Sequence, residues 1–161
     1  MRVFYEIWHE PLMTIGGTHL ISDVLAACGA RNVFELAQGF AFAVSAEQLY
    51  ARAPDAIVVS TFAGNEMLAA SRWQRFAPLA AVQAGRVYVI DSALANRMGP
   101  RLAEGAAILC ALVDRARGAG IEACRRGAER AGDKRQVNRC ASSAPPRRAR
   151  RRVVWPSRGG G

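Results

Sequence analysis

Apolar and polar positions change their spacing in a regular order along the chain, and this order predicts strands that alternate with helices. Residues 2–8 (RVFYEIW) are rich in aromatic and β-branched side chains, which is typical of a β-strand. Residues 55–60 (DAIVVS) and 85–91 (GRVYVID) are short apolar runs, as expected of parallel strands that are covered on both faces. The alternation indicates an α/β fold with a mostly parallel sheet.

Two segments after the first strand carry helix signals at both ends. Residues 20–28 place apolar side chains on one face, with Thr18 as the predicted cap and Gly29 as the predicted end. Ser45 and Gln48 have the spacing of a capping box, which predicts a second helix that stops before Pro54.

Two further helices complete the pattern, one over residues 65–76 and a long one from Pro100 to about Arg117. The sequence therefore predicts one domain over residues 1–117, a single Rossmann-like lobe whose sheet is flanked by helices. Residues 118–161 are rich in Arg, Gly and Pro and lack apolar periodicity, so we expect a disordered basic tail there.

Three predicted loops follow the carboxyl ends of the strands, where ligands bind in parallel sheets: His9–Gly17, Thr61–Asn65 and Ser92–Gly99. The first contains the pair Gly16–Gly17 before a helix, as many phosphate sites do. A phosphate site also favours Lys or Arg, and the three loops contain only Arg97. Because their other side chains are mainly apolar, the loops predict the wall of a cleft rather than a phosphate cradle.

The net charge of +9 lies entirely in the predicted tail of this 161-residue chain. Residues 1–117 carry ten Arg and ten acids, whereas residues 118–161 carry twelve bases and three acids. The predicted lobe is thus neutral and offers no basic face for specific nucleic-acid binding. Non-specific binding of nucleic acid through the tail remains an alternative.

Other function classes find little support in the sequence. No apolar stretch approaches the roughly 18 residues of a membrane span, and Glu6, His9 and Glu10 interrupt the apolar region that a signal peptide would need. The four cysteines have no CxxC spacing, and no GxGxxG motif or Ser/His/Asp order is present. We expect neither a cofactor nor a metal site, and a Rossmann-like nucleotide-binding enzyme is kept as an alternative.

Several segments together resemble one protein family. They are residues 3–34 (VFYEIWHEPLMTIGGTHLISDVLAACGARNVF), 44–60, 81–91 and 99–112. In order and without large gaps, they are similar to the C-terminal lobe of periplasmic substrate-binding proteins for cobalamin and iron-siderophores, with the cobalamin branch most similar. The resemblance implies half of a two-lobed binding protein of an ABC importer, located in the periplasm. The signal sequence, N-terminal lobe and linking helix of that family are not found in this sequence, which we therefore interpret as N-terminally truncated.

The resemblance also implies which residues meet the ligand, with an iron-siderophore as the alternative to a corrinoid. Aromatic and thioether side chains suit the broad, partly apolar face of a corrinoid. Loop polar groups complete the expected set. The implied ligand-binding residues are Trp8, Met13, Phe40, Phe42, Asn96 and Arg97.

Three more residues take their expected roles from the family. Glu47, in the segment VSAEQ, matches a glutamate that pairs with arginines of the membrane permease, with Glu66 as the rival acid. Cys28 and Cys110 match positions where relatives carry cysteines on adjacent helices, which makes a disulfide an expectation. The implied partners are the permease and a small-molecule ligand, and we expect a monomer that does not span a membrane.

Overall fold

The computed structural model describes residues 1–62, 64–95 and 102–130, with a mixed, mostly parallel sheet between layers of helices. The strands are β1 (Arg2–His9), β2 (Leu12–Ile15), β3 (Arg31–Asn32), β4 (Ala41–Ala43), β5 (Ala56–Thr61) and β6 (Val87–Asp91). Their order is β4-β2-β1-β5-β6, and β3 pairs with the start of β1. The predicted α/β fold with a mostly parallel sheet is confirmed.

In the described ranges, the α-helices are α1 (Leu20–Ala27), α2 (Ala46–Arg52), α3 (Glu66–Arg72), α4 (Ala80–Gln83), α5 (Ser92–Ala95) and α6 (Leu102–Arg130). A 3-10 turn over Trp73–Phe76 extends α3. Within the described residues, no helix is both long enough and apolar enough to cross a membrane.

Alternating residues of β1 supply both faces of the sheet, as the period of a strand requires. Phe4 belongs to a core beneath α2, α3 and α4, which we call the α3-side core. Val3 and Tyr5 belong to a second core beneath α1 and α6, the α6-side core. All three side chains are fully buried, so β1 is the central strand of the protein.

Helices α1 and α6 are joined covalently and by hydrogen bonds. Cys28 and Cys110 form a disulfide with their Cα atoms 4.9 Å apart. About two turns further along α6, the guanidinium of Arg117 donates to the carbonyl oxygens of Cys28, at 3.0 Å, and Gly29, at 2.6 Å. The end of α1 is therefore held at two points against α6.

An antiparallel hairpin was missed by the sequence analysis. The segment His9–Gly17, predicted as a loop, contains β2, which pairs back onto β1, and β4 then pairs antiparallel with β2. Because two antiparallel pairings restore the original direction, β4 runs parallel to β1. Consequently α2, which follows β4, begins at the same edge of the sheet where β1 and β5 end.

Three local predictions are wrong. His19 rather than Thr18 caps α1, with its Nδ1 atom accepting from the Ile21 backbone at 3.1 Å. The strand β6 is only half-buried along much of its length, as an edge strand of the described sheet is. The final helix does not end near Arg117 but continues to Arg130, so residues 118–130 are helical rather than disordered. Residues 131–161 lie outside the described residues, and the division at residue 117 stays a prediction.

Candidate functional site

A cavity of about 300 Å³ lies at the carboxyl ends of β1, β5 and β6, the edge of the sheet where the sequence analysis places a ligand. Its walls come from these strand ends and from one side of α3, from the residue before its start to its last residue. The lining residues are Glu6, Ile7, Trp8, His9, Val59, Ser60, Thr61, Phe62, Asn65, Ala69, Arg72 and Ser92.

Strand register brings the first part of this wall together. Glu6 of β1 lies beside Val59 of β5, and Thr61 lies beside Asp91 of β6. The pairing of β1 with β2 is irregular between Glu6 and Trp8. Such irregularities change the direction of the side chains that follow, often next to a binding site.

Two aromatic side chains give the cavity an exposed apolar rim. Trp8 is 49% exposed and Phe62 is 61% exposed. The indole nitrogen of Trp8 donates to the carbonyl oxygen of Glu10 at 2.9 Å, which fixes one edge of the ring. Large exposed aromatic groups around a concave surface are typical of a ligand site.

Beneath the rim, Glu6 is a buried acid in a mostly apolar wall, with 5% of its surface exposed. Its Oε2 atom accepts a hydrogen bond of 2.6 Å from the indole nitrogen of Trp73. Burial raises the pKa of the Glu6 carboxyl, whereas the Trp73 hydrogen bond and the guanidinium groups of Arg72 and Arg75 act in the opposite direction. The cavity therefore contains an acidic group whose charge is costly to bury.

Of the predicted ligand-binding residues that the structure describes, only one lies at this cavity. Trp8 lines it, whereas Met13 is half-buried on β2, at the position that pairs with Trp8. Phe42 packs on the ring of Phe34 at a centroid distance of 5.7 Å, against the α3-side core. Neither Met13 nor Phe42 is among the residues that line the cavity as described.

Phe40 differs from Phe42 in its surroundings. It precedes β4, is 57% exposed and lies 4.2 Å from the ring of His19. Phe40 is likewise not among the residues that line the cavity as described. Asn96 and Arg97 lie outside the described residues.

Glu6, Phe62 and Arg72 were missed as site residues. For Glu6 the sequence did contain a signal, since a single acid in an otherwise apolar strand needs a partner or a function. Arg72 and Phe62 carry no such signal, because only the pairing of the strands and the docking of α3 bring them to the cavity.

Glu47 lies in the first turn of α2, at the same edge of the sheet as the cavity. The predicted capping box is present, since Ser45 and Gln48 exchange hydrogen bonds of 2.9 and 3.2 Å. The Glu47 side chain is exposed, and hydrogen bonds to Ser45 and to its own backbone lower its pKa. A fixed negative charge therefore stands on the surface there.

The rival acid Glu66 starts α3 and also faces solvent. Both of its carboxylate oxygens accept from the backbone nitrogen of Gly64 at 3.0 Å, and this bond is the largest cause of its lowered pKa. Two exposed acids thus begin two helices along one edge of the sheet.

Gly16 and Gly17 lie against the backbone of a neighbouring loop of the protein. A Cβ atom on Gly16 would overlap the carbonyl oxygen of Gly39, and one on Gly17 would overlap that of Glu35. The hydroxyl of Ser22 donates to the Gly16 carbonyl oxygen at 2.8 Å. The pair allows two loops to approach closely, which agrees with the expectation that it is not a phosphate cradle.

A second cavity, of about 310 Å³, lies at the opposite edge of the sheet and is lined by arginines. Arg2 and Arg31 there form ion pairs of 3.7 Å with Asp55 and Glu35. Since these charges are already paired, the cavity at the carboxyl ends is the better ligand site.

Comparison with known proteins gives matches over about two thirds of the chain. No family model matches. A protein of Vibrio cholerae named vitamin B12-binding protein is 31% identical over 112 residues, which are 68% of this chain and 39% of that protein. A protein of the same name from Salmonella choleraesuis is 31% identical over 109 residues, with the same coverage. The chain thus spans about two fifths of the length of these relatives.

Solved structures give the same result. The periplasmic vitamin B12-binding protein of Vibrio cholerae superposes with a TM-score of 0.64 at 28% identity, covering 72% of this chain and 45% of that one. A protein of Staphylococcus epidermidis, described as a possible iron-binding periplasmic solute-binding protein, has a TM-score of 0.63 at 27% identity, covering 70% and 44%. In both cases, less than half of the solved chain has a counterpart here.

Proposed function

We propose that this chain, which is homologous to vitamin B12-binding proteins over about two thirds of its length, is the C-terminal lobe of an ABC-importer binding protein for cobalamin or a related corrinoid. The observation that carries the proposal is the cavity at the strand ends, with Trp8 and Phe62 on its rim. Binding a ligand between two lobes requires apolar walls and a few polar groups, and no catalytic group.

The proposed location is the periplasm. The relatives with solved structures are periplasmic by name. The disulfide between Cys28 and Cys110 agrees with this location, because such bonds persist in oxidising compartments. We further propose that the protein acts as a monomer and hands its ligand to a permease.

A titration of the 161-residue chain with cyanocobalamin, followed by calorimetry, tests the ligand. We expect binding in the micromolar range or weaker, because half of the contact surface would come from the other lobe while the entropic cost of association remains. Trp8→Ala should weaken binding about tenfold, since it removes a large aromatic contact. Leu36→Ala is the matched control, because Leu36 is 84% exposed but lies at the opposite cavity.

Two results would contradict the corrinoid proposal. The first is the absence of cobalamin binding by both the chain and its fusion to the N-terminal lobe of the Vibrio cholerae relative. The second is binding of a ferric siderophore in place of cobalamin, which would support the iron-binding alternative suggested by the Staphylococcus epidermidis structure.

Docking to the permease is assigned to Glu47. The support is its exposure and its place in the first turn of α2, at the cavity edge of the sheet. In the two-lobed fusion, Glu47→Lys should reduce cobalamin uptake and leave cobalamin affinity unchanged, because surface charges set encounter and register. Glu35→Lys is the control at the opposite cavity, and equal uptake by the two variants would contradict the assignment.

A further inference from the structure

The cavity contains one acceptor and one donor that have no partner among the residues that the structure describes. The Oε2 atom of Glu6 accepts the hydrogen bond from Trp73. Its Oε1 atom has no hydrogen-bond donor among the residues that the structure describes. The guanidinium of Arg72, half-buried in the same wall, likewise has no hydrogen-bond or ion-pair partner within the described part of the chain.

The two groups are close enough to interact electrostatically without bonding. The charge of Arg72 acts on the Glu6 carboxyl, yet no salt bridge joins them. Helix α3 holds Arg72 one residue before Trp73, the donor to Glu6, so the backbone fixes both groups in the same wall. A ligand group that enters the cavity thus meets a carboxylate oxygen and guanidinium N–H groups together.

A charged ligand group does not suit this pair. A carboxylate would gain from Arg72 but would face the negative charge of Glu6 inside an apolar wall, and an ammonium group would face Arg72. A neutral group that both donates and accepts satisfies both sides. A primary carboxamide has this chemistry, with two N–H donors and one carbonyl acceptor.

Resting on the proposed function, we infer that Glu6 and Arg72 recognise a peripheral carboxamide of the bound macrocycle and thereby select amidated rings over rings that carry carboxylates. The carboxamide N–H donates to Oε1 of Glu6, and its carbonyl oxygen accepts from Arg72. Cobalamin carries such carboxamides around its ring, whereas haem carries carboxylates. Amidated rings are selected because a ring carboxylate would leave the Glu6 carboxylate without a hydrogen-bond donor, which costs binding free energy.

The test compares cyanocobalamin with its monocarboxylic acids, in which one peripheral carboxamide is hydrolysed. The calorimetry is done at pH 8, where the carboxyl groups of the monocarboxylic acids are ionised. We expect the unaltered 161-residue chain to bind at least one monoacid about ten to a hundred times more weakly than cyanocobalamin, as the loss of a matched buried hydrogen bond predicts.

Glu6→Gln separates this selection from general repulsion of anions. The glutamine oxygen still accepts from Trp73, while its NH₂ group replaces Oε1 with a donor. This variant should bind the same monoacid as well as cyanocobalamin or better. Glu35→Gln, which removes an exposed acid far from the cavity, should keep the original preference.

Arg72→Gln provides a second measurement, should Glu6→Gln fail to fold. Because Arg72 is only half-buried, this change should leave the fold intact and weaken cyanocobalamin binding about tenfold, with Arg31→Gln as the control. Equal affinity of the unaltered chain for cyanocobalamin and all monoacids would overturn the inference alone, as would an unchanged preference in Glu6→Gln. Failure of the chain and its two-lobed fusion to bind any of these rings would overturn the proposed function itself.

Discussion

The indole nitrogen of Trp73 and the carboxylate of Glu6 are joined by a hydrogen bond of 2.6 Å across 67 positions of sequence. The bond ties the end of α3 to the central strand at the floor of the cavity. Trp73 is 2% exposed and packs edge-on against the ring of Phe4, at a centroid distance of 5.6 Å. One side chain therefore serves both the α3-side core and the candidate site.

Removal of the hydrogen bond between Trp73 and Glu6 should destabilise the protein. We expect Trp73→Phe to lower the free energy of unfolding by about 2–4 kcal/mol, because it leaves a buried carboxylate without its donor and opens a small cavity. Trp8→Phe is the matched control, since its indole bonds to a carbonyl oxygen at the surface, and it should cost less than about 1 kcal/mol. Urea unfolding of both variants checks this, and equal losses would contradict it.

The acid itself should give the protein a specific dependence on pH. Because burial raises the pKa of Glu6 in the folded state, its contribution to stability is full below its unfolded pKa and is lost as the pH rises through the folded one. The melting temperature of the unaltered protein minus that of Glu6→Gln should therefore fall as the pH rises above the ordinary range of a glutamate carboxyl. Glu47→Gln should show a small change of opposite sign, because the pKa of Glu47 is lowered. If the melting temperature of the unaltered protein minus that of Glu6→Gln instead rises with pH, the raised pKa of Glu6 is contradicted.

The glycine pair permits a direct steric test. Gly17→Ala should destabilise the protein by about 1–3 kcal/mol, because the new Cβ atom overlaps the backbone of Glu35. The same substitution at Gly118, an exposed position in α6 with no atom within 4 Å of the added carbon, should stabilise it by about 0.5–1 kcal/mol. Thermal unfolding distinguishes the two signs, and a neutral Gly17→Ala would show that the two loops can separate freely.

Reduction of the disulfide should weaken the lobe substantially. Cys28 and Cys110 are 82 positions apart, and opening a loop of this size costs about 2–5 kcal/mol. We expect dithiothreitol to lower the melting temperature of the unaltered protein. The double variant Cys28→Ala/Cys110→Ala should already melt at the lower temperature and should not respond to the reductant. If dithiothreitol also lowers the melting temperature of the double variant, the effect of the reductant comes from another thiol and not from the Cys28–Cys110 disulfide.

Local signals in the sequence account for most of the fold. The apolar run before Thr61 and the capping box at Ser45 are contained in a few consecutive residues, so they predict β5 and α2 without knowledge of the rest. β2 and β4 are only four and three residues long. Such strands are stabilised by partners elsewhere in the chain, which the local pattern does not reveal.

The candidate site was harder to predict than the fold. The rule for strand ends pointed to the correct edge of the sheet, and Trp8 lies there. Phe42 was chosen for its aromatic character, but that character serves packing against Phe34. Arg72 is the last residue of α3, and only the docking of this helix on the sheet brings it to the cavity wall that also contains Glu6.

The central position of β1 has a consequence for synthesis on the ribosome. β2 follows β1 directly and can pair with one of its edges at once, but the other edge pairs with β5, where Val3 meets Ala56. At about 5–20 residues per second, translation of the intervening 53 positions takes about 3–10 s. During that interval the most buried strand of the nascent chain has one open edge. Slow codons between residues 10 and 55 therefore prolong the exposure of this edge to aggregation.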